Sequence, residues 1–221
     1  KWGLAVGDQP TVPNTKGFDE FYGYLNQRKA HNYYPEYLWH NREMVRYPQH
    51  VGHDATKPND YDEKGHIIAN GVADQSELRY AFDEYKNAML DFVRKNREEP
   101  FFLYFASTLP HGHFEVPELG AYKDLDWPLP HKIYAAMVSR LDRAVGELMN
   151  LLETNGLAEN TLVFFVSDNG YSFRGYDCEP SLNEFFRHAG PCCGGKGDLH
   201  QGGLRVPAIA KWPGRIEPRS V

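Results

Sequence analysis

Asp168 and Asn169 follow directly on an apolar run, Leu162 to Val166, and Gly170 follows them. A carboxylate beside an amide carbonyl makes a pair of hard oxygen donors of the kind that hold Ca²⁺ or Mg²⁺. A buried strand ending in such donors delivers them to the carboxyl edge of a sheet, where ligands bind in open α/β folds. Gly170 lets the backbone turn sharply and approach a ligand closely. An isolated Asp-Asn-Gly is most often an Asx turn, but three other places in the chain reverse that reading. They are Lys1-Trp2-Gly3-Leu4, then Ser107-Thr108-Leu109-Pro110-His111, then the glycine-rich stretch Gly194-Gly195-Lys196-Gly197-Asp198-Leu199-His200-Gln201-Gly202-Gly203-Leu204-Arg205-Val206-Pro207. Two lysines and a histidine are the groups that stabilise developing negative charge and move protons near neutral pH.

Certain elements must position these residues. Residues 1–73 are rich in Gly, Pro, Asn, His and aromatics and read as ordered but irregular, with short strands at 37–39 and 43–46. Asp74 or Ser76 could cap a helix running to about Asn96, with Leu78, Phe82, Tyr85, Met89 and Phe92 at helical spacing. The continuous apolar run 101–106 reads as a central strand. A loop over 107–130 carries His111. A second helix spans roughly 131–155, with Gly156 where a C-terminal cap belongs. Strand 161–167 follows, then a long loop at 171–203 and a last strand at 204–211, whose Pro207 marks an edge or a bulge. Strand, helix and strand with both strands apolar predict a right-handed crossover in a mostly parallel sheet flanked by helices, an α/β fold.

Composition narrows the function. The 221 residues are enough for one sizeable core or part of a larger one. No apolar run is long enough to span a membrane. A net charge of −6 argues against nucleic acid and other general polyanions, so recognition of an anionic substrate must be local. Aromatics reach 14%, and many fall in the first fifty residues, where such clusters line sugar or aryl pockets or cover a core edge. The cysteines, Cys178, Cys192 and Cys193, lack a Cys-x-x-Cys pair, which disfavours zinc. A disulfide from Cys178 to one of the adjacent pair stays open. Both chain ends read as cut, which makes 1–221 an internal segment of a longer protein.

The four places, in this order and spacing, resemble the sulfatase family of the alkaline-phosphatase-like superfamily. Further text carries the resemblance along nearly the whole chain: Gly17-Phe18-Asp19-Glu20-Phe21-Tyr22-Gly23-Tyr24, Pro100-Phe101-Phe102-Leu103-Tyr104, Gly156-Leu157-Ala158-Glu159-Asn160-Thr161-Leu162-Val163 and Trp212-Pro213-Gly214-Arg215-Ile216. Bacterial arylsulfatase-type members are the most similar in wording. The resemblance implies a single, incomplete sulfatase catalytic domain over 1–221 and hydrolysis of a small-molecule or glycan sulfate ester. It implies Ca²⁺ bound by Asp168 and Asn169. Lys196 would contact the sulfate, His111 would bind it or protonate the leaving group, and Lys1 would sit near a sulfate oxygen. The family nucleophile is a formylglycine made from Cys or Ser by a formylglycine-generating or anaerobic maturation enzyme, and members are periplasmic or secreted. The resemblance also implies that His111, Asp168, Asn169 and Lys196 converge on one cleft.

This chain departs from the family pattern in places. The nucleophile motif, Cys or Ser-x-Pro-x-Arg, is absent; Cys178-Glu179-Pro180-Ser181-Leu182 lacks its arginine and follows the metal strand instead of preceding it. The nucleophile and the family's paired aspartates are expected upstream of Lys1. Gly3 stands where many members have histidine, and Gly197, His200 and Gln201 where Arg, an aromatic residue and Glu are commoner. His113, His131, His188 and the histidines of 31–66 read as structural, and Arg205 as a corner-fixing residue. Residues 24–53 and 171–193 are the candidates for substrate contact. Two other functions compete: a phosphodiesterase or phosphonate hydrolase of the same superfamily, and a non-catalytic glycan-binding pseudo-sulfatase. Asn169 weighs against the first, since those enzymes commonly place histidine there to suit zinc or manganese.

Overall fold

The computed structural model describes residues 1–5, 11–172, 180–188 and 190–220. They form two compact units, Lys1–Glu147 and Leu148–Val221.

In the first unit, β1 (Tyr22–Gly23), β2 (Tyr37–His40) and β3 (Glu43–Arg46) form an antiparallel sheet in that order. The hairpin closes at His40↔Glu43. Its turn puts Asn41 in the left-handed region, φ 55°, which asparagine tolerates better than most residues. The Asn41 Oδ1 then accepts the Phe21 N–H at 2.9 Å and the Asn14 side-chain amide at 3.0 Å. A small pair, β4 (Asp60–Tyr61) and β5 (Ile67–Ile68), is also antiparallel.

Helix α1 (Ala81–Lys95) buries Phe82, Tyr85, Met89 and Val93, one stripe at helical spacing. Asp83 and Glu84 in its first turn and Arg94 and Lys95 in its last suit the helix dipole. The sequence predicted an earlier start. Instead the Asp74 carboxylate accepts the Ser76 N–H at 2.9 Å and its hydroxyl at 2.6 Å, making a turn. Tyr80 stays extended, and its hydroxyl donates to the Glu115 carbonyl at 2.6 Å. Burying that ring draws the preceding segment off the helix axis.

Helix α2 (Leu129–Thr154) agrees with the predicted 131–155 within two residues. It is tied to α1 by Lys86–Glu147 at 2.8 Å and by Arg140–Asp83. Its end is the one the sequence announces: Gly156 takes φ 69°, and the Leu157 N–H returns to the Leu152 carbonyl at 2.8 Å. The core of the first unit gathers Tyr33, Tyr34, Leu38, Tyr80, Phe82, Val116 and Met137, all essentially without solvent contact.

In the second unit β6 (Val163–Val166) follows α2, then α3 (Leu182–Phe186) and α4 (Gln201–Leu204), and β7 (Ala208–Lys211) returns to pair with β6. Ser181 and Glu184 form a reciprocal capping box at the start of α3.

Two strand expectations need correction. Residues 101–106 form no ladder, because none of the described strands offers them the N–H and C=O groups that a ladder needs. Their side chains do alternate: Phe101 packs on Phe92 and Phe105 on Phe82 and Tyr85, whereas Phe102 and Tyr104 are 75% and 66% exposed. The second correction is that every ladder among the described residues is antiparallel, including β6 with β7, where Val163 faces Lys211 and Val166 faces Ala208. The last strand begins at Ala208 and not at 204, because Gln201–Leu204 winds into α4 and Pro207 cannot donate to the ladder.

Phe82→Ala should destabilise the first unit by about 3–5 kcal/mol, since the ring lies fully inside the core with Tyr85 and Phe105 against it. Equilibrium denaturation checks this; a loss below about 1 kcal/mol would show that the core is not packed around this ring.

Candidate functional site

In the second unit the Asp168-Asn169-Gly170 turn is locked to the glycine-rich loop by backbone alone. The Gly170 N–H donates to the Gly203 carbonyl at 3.0 Å, the Lys196 N–H to the Tyr171 carbonyl at 2.7 Å, and the Gly202 N–H to the Cys193 carbonyl at 2.8 Å. The Asp198 carboxylate accepts the Gly195 N–H at 2.9 Å and so closes the loop on itself. This contact has no room for side chains. A Cβ on Gly170 would fall on the Gly202 carbonyl and 2.9 Å from the Gly203 Cα. One on Gly202 would strike the Gly194 carbonyl, and one on Gly203 the carbonyls of Asp198 and Gly195. The glycines at 170, 202 and 203 are therefore what let the loop bearing Lys196 close on the turn bearing Asp168 and Asn169.

The donors themselves are open. The Asp168 carboxylate is exposed and makes no hydrogen bond or ion pair among the described residues. The Asn169 side chain donates its amide to the Gly170 carbonyl at 2.9 Å, which turns its Oδ1 out as an acceptor. Ser167 holds the turn by donating to the Asn169 carbonyl at 2.9 Å. Two hard, unengaged oxygens on one rigid turn fit a calcium ion, which takes oxygen ligands at irregular geometry. They are two of the six to eight it needs, and no group of three His, Cys, Asp or Glu side chains suited to a metal occurs among the described residues. Lys196 is half-buried, and its ammonium has no acid partner there.

His111 and Lys1 belong to the first unit. The α-amino group of Lys1 donates to the Ala106 carbonyl at 3.1 Å, at the start of the loop that carries His111. The Trp2 and Gly3 N–H groups donate to the carbonyls of Tyr24 and Leu25 at 2.8 and 3.0 Å. His111 Nδ1 lies 2.6 Å from the Gly112 carbonyl. A carbonyl only accepts, so Nδ1 carries a proton. Tyr33 clamps this loop: its hydroxyl lies 2.8 Å from the carbonyls of both Thr108 and His111.

Behind the loop stands Glu115, 1% exposed. Its carboxylate accepts from Tyr33 N at 3.0 Å, Asn59 Nδ2 at 2.7 Å and His53 Nε2 at 2.7 Å. The other nitrogen of His53 faces the Asn70 carbonyl at 2.9 Å. Both ring nitrogens face acceptors, so this imidazole is held as a cation. Burial acts to lower its pKa, but the hydrogen bond and charge of Glu115 outweigh it and the net shift is upward. Nearby His50 is the opposite case. Its Nδ1 meets the Pro35 carbonyl at 2.8 Å, its Nε2 accepts the Arg79 N–H at 3.0 Å, and burial lowers its pKa.

Asp168, Asn169 and Lys196 thus share one backbone-locked neighbourhood in the second unit, and Lys1 and His111 another in the first. The sequence reading treats two residues beside His111, His31 and His113, as structural, although His31 falls within the 24–53 stretch named for substrate contact. The His31 ring stacks on that of His111, centroids 4.6 Å apart and planes 13° apart, and His113 stands edge-on to His31 at 6.5 Å. No sequence signal joined His31 to His111, because the pairing spans eighty positions. In the second unit His188 stacks on Phe186 at 5.5 Å and lies 6.3 Å from Tyr171. Cys192 and Cys193 are free thiols, and Cys178 lies outside the described residues.

The family profile for Sulfatase matches residues 1–221. The N-acetylgalactosamine-6-sulfatase of Rattus norvegicus is 33% identical over 219 residues, 98% of this chain and 37% of the relative. The N-acetylgalactosamine-6-O-sulfatase of Bacteroides thetaiotaomicron is 28% identical over 189 residues, 80% of this chain and 34% of the relative. Among solved structures, that of Ps i-CgsB in complex with k-i-k-neocarrahexaose aligns with a TM-score of 0.66 at 28% identity, covering 93% of this chain and 42% of that one. A structure from the locus for metabolism of multiple glycosaminoglycans of Bacteroides thetaiotaomicron aligns at 0.68 with 25% identity, covering 99% and 52%. The chain belongs to the sulfatase family, and its fold class is the α/β, alkaline-phosphatase-like one of those structures. It spans 37% of the length of the first of these relatives.

Gly170→Ala should open the contact between turn and loop, because the new methyl and the Gly202 carbonyl cannot share one place. Amide exchange at Lys196 and Gly202 should speed up by at least about tenfold, the effect of losing roughly 1.4 kcal/mol of local stability. Gly146→Ala is the control: nothing lies within 4 Å of its Cβ, and alanine in mid-helix should stabilise by about 0.5–1 kcal/mol. Equal effects from both would refute the close-contact account.

The His53–Glu115 pair gives a pH test. The folded pKa of His53 is raised above 6.5, so its contribution is full below that value and is lost as pH rises through the folded pKa. His53→Ala should therefore cost about 3–5 kcal/mol in acid and progressively less with rising pH. Denaturation midpoints at stepped pH check this, and a gap that widens with pH would mean the ring is held neutral.

Proposed function

We propose that the intact protein is a sulfuric ester hydrolase that removes sulfate from a sulfated glycan, with residues 1–221 forming part of one catalytic domain. The observation that carries this reading is the open pair of hard oxygens, Asp168 and Asn169, on a turn locked to the loop of a lysine with no acid partner. Family membership along the whole chain supports it. The names of the relatives make sulfated N-acetylgalactosamine the first substrate to try.

Asp168 and Asn169 would hold Ca²⁺, which when bound supplies Lewis-acid polarisation of the sulfate oxygens. The resemblance implies a formylglycine nucleophile in a part of the protein preceding Lys1, installed by a maturation enzyme, and a periplasmic or secreted location. The residues of this chain do the rest. Lys196 and Lys1 neutralise charge on the sulfate oxygens. The Gly112 carbonyl orients the His111 ring through Nδ1, and from the doubly protonated ring Nε2 would be the atom that hands a proton to the leaving oxygen. A fixed ammonium stabilises charge that builds in the transition state without reorganising to do so.

Sulfate release from an aryl sulfate and from 6-sulfated N-acetylgalactosamine, with and without calcium, tests the reading. The intact protein should turn over and lose activity with a chelator, whereas residues 1–221 alone should be inactive. Asp168→Ala should nearly abolish turnover, and Lys196→Ala should lower it by about 10²–10³. Preference for a phosphodiester would move the protein to the sister chemistry, and glycan binding without turnover would make it a binding module. Full activity of Asp168→Ala would remove the metal assignment.

A further inference from the structure

Beside His111 the first unit carries two imidazoles, His31 and His113, that the roles above do not use. His31 ends a one-turn 3-10 helix, Lys29–His31. Its ring lies parallel to that of His111, and His113 stands edge-on beside it. The turn is pinned at its start, where the Asn26 Oδ1 accepts the N–H groups of Arg28 at 2.8 Å and Lys29 at 3.3 Å. It is pinned at its end, where the Tyr24 hydroxyl donates to the Asn32 carbonyl at 2.5 Å. Tyr33 then couples the turn to the loop: its N–H reaches the buried Glu115 carboxylate while its hydroxyl meets the His111 carbonyl. One residue thus fixes both supports of the stack. Such rigidity is what a binding constellation needs and what a chance surface contact lacks.

We propose that His31 is a further sulfate-contact residue, the second imidazole of an anion site in which His111 is the first and His113 the third. The proposal rests on the sulfatase reading and extends it to a residue that reading does not include. Three half-buried imidazoles in a chain of net charge −6 make a local basic spot without a general attraction for polyanions. A neutral imidazole carries one N–H donor and a cationic one two, so three adjacent rings bring several donors to one place. A metal is a poorer occupant. No group of three His, Cys, Asp or Glu side chains suited to a metal occurs among the described residues.

The test uses the intact protein and inorganic sulfate. Histidine ring resonances are followed by NMR as sulfate replaces chloride at constant ionic strength, in the wild type and in His31→Ala and His31→Phe. Sulfate should shift the His31 and His111 rings of the wild type. Both variants should weaken sulfate binding by about tenfold or more, the effect of losing one charged hydrogen bond. In the sulfatase assay both should raise KM for an aryl sulfate more than they lower kcat. Phenylalanine keeps a ring on the stack but removes the N–H groups, so a His31→Phe protein that matches the wild type would show packing only and overturn the proposal. A His31 ring indifferent to sulfate in the wild type would overturn it without any variant. If no sulfate ester is hydrolysed at all, the function reading fails, and the sulfate titration still decides whether His31 belongs to an anion site.

Discussion

One buried carboxylate organises the first unit. Glu115 collects the Tyr33 N–H, the Asn59 amide and the His53 ring, three donors that each lie at least 56 positions away from it in sequence. Its own carbonyl takes the Tyr80 hydroxyl, which fixes where α1 can begin. A buried charge is tolerable only when paired and hydrogen-bonded, and here every donor on it also belongs to a structural segment. The irregular first eighty residues, which have little regular secondary structure to hold them, are hung on this group. The His111 loop is held through the same residue, since Tyr33 binds Glu115 with its backbone and the loop with its hydroxyl.

The second unit solves its positioning problem by the opposite means. Here backbone aligns the Asp168 turn with the Lys196 loop: three glycines let two stretches of main chain touch and exchange N–H···O=C bonds. Backbone contacts carry no rotamer freedom, so a site built on them is rigid from the start. The arrangement also leaves the Asp168 carboxylate, the Asn169 Oδ1 and the Lys196 ammonium without a structural partner among the described residues. A side chain already paired within the fold would have to break that pairing to meet a ligand.

The sequence disclosed these two devices unequally. The turn and the glycine-rich loop were legible, because a hard-donor pair after an apolar run and glycines clustered around one lysine are local patterns. Helices α1 and α2 and the Gly156 cap were legible for the same reason. Strand pairing was not. An apolar run at 101–106 or 162–166 says that a strand could be covered on both faces, but direction and partner depend on segments elsewhere. Neither was the Glu115 network, since nothing in a lone glutamate announces burial and residues of this type are almost never fully buried. The His31–His111 stack fell below detection because it joins a 3-10 turn to a distant loop, and no period relates them.

Charge explains how a chain of this composition could still serve an anion. With a net charge of −6, the whole-molecule field repels sulfate weakly, and at physiological salt it is screened within about 8 Å. Attraction must therefore come from groups at contact distance. Several basic side chains are already paired with acids: Arg140 with Asp83, Lys86 with Glu147, Arg94 with Asp91, Lys211 with Glu153. Lys196 is not. A half-buried ammonium on a backbone-locked loop loses little on binding an anion, since neither a rotamer-rich pairing nor an ion pair has to be broken first. Selectivity for one sulfate ester over bulk polyanions then follows from geometry at contact range and not from the sign of the protein's charge.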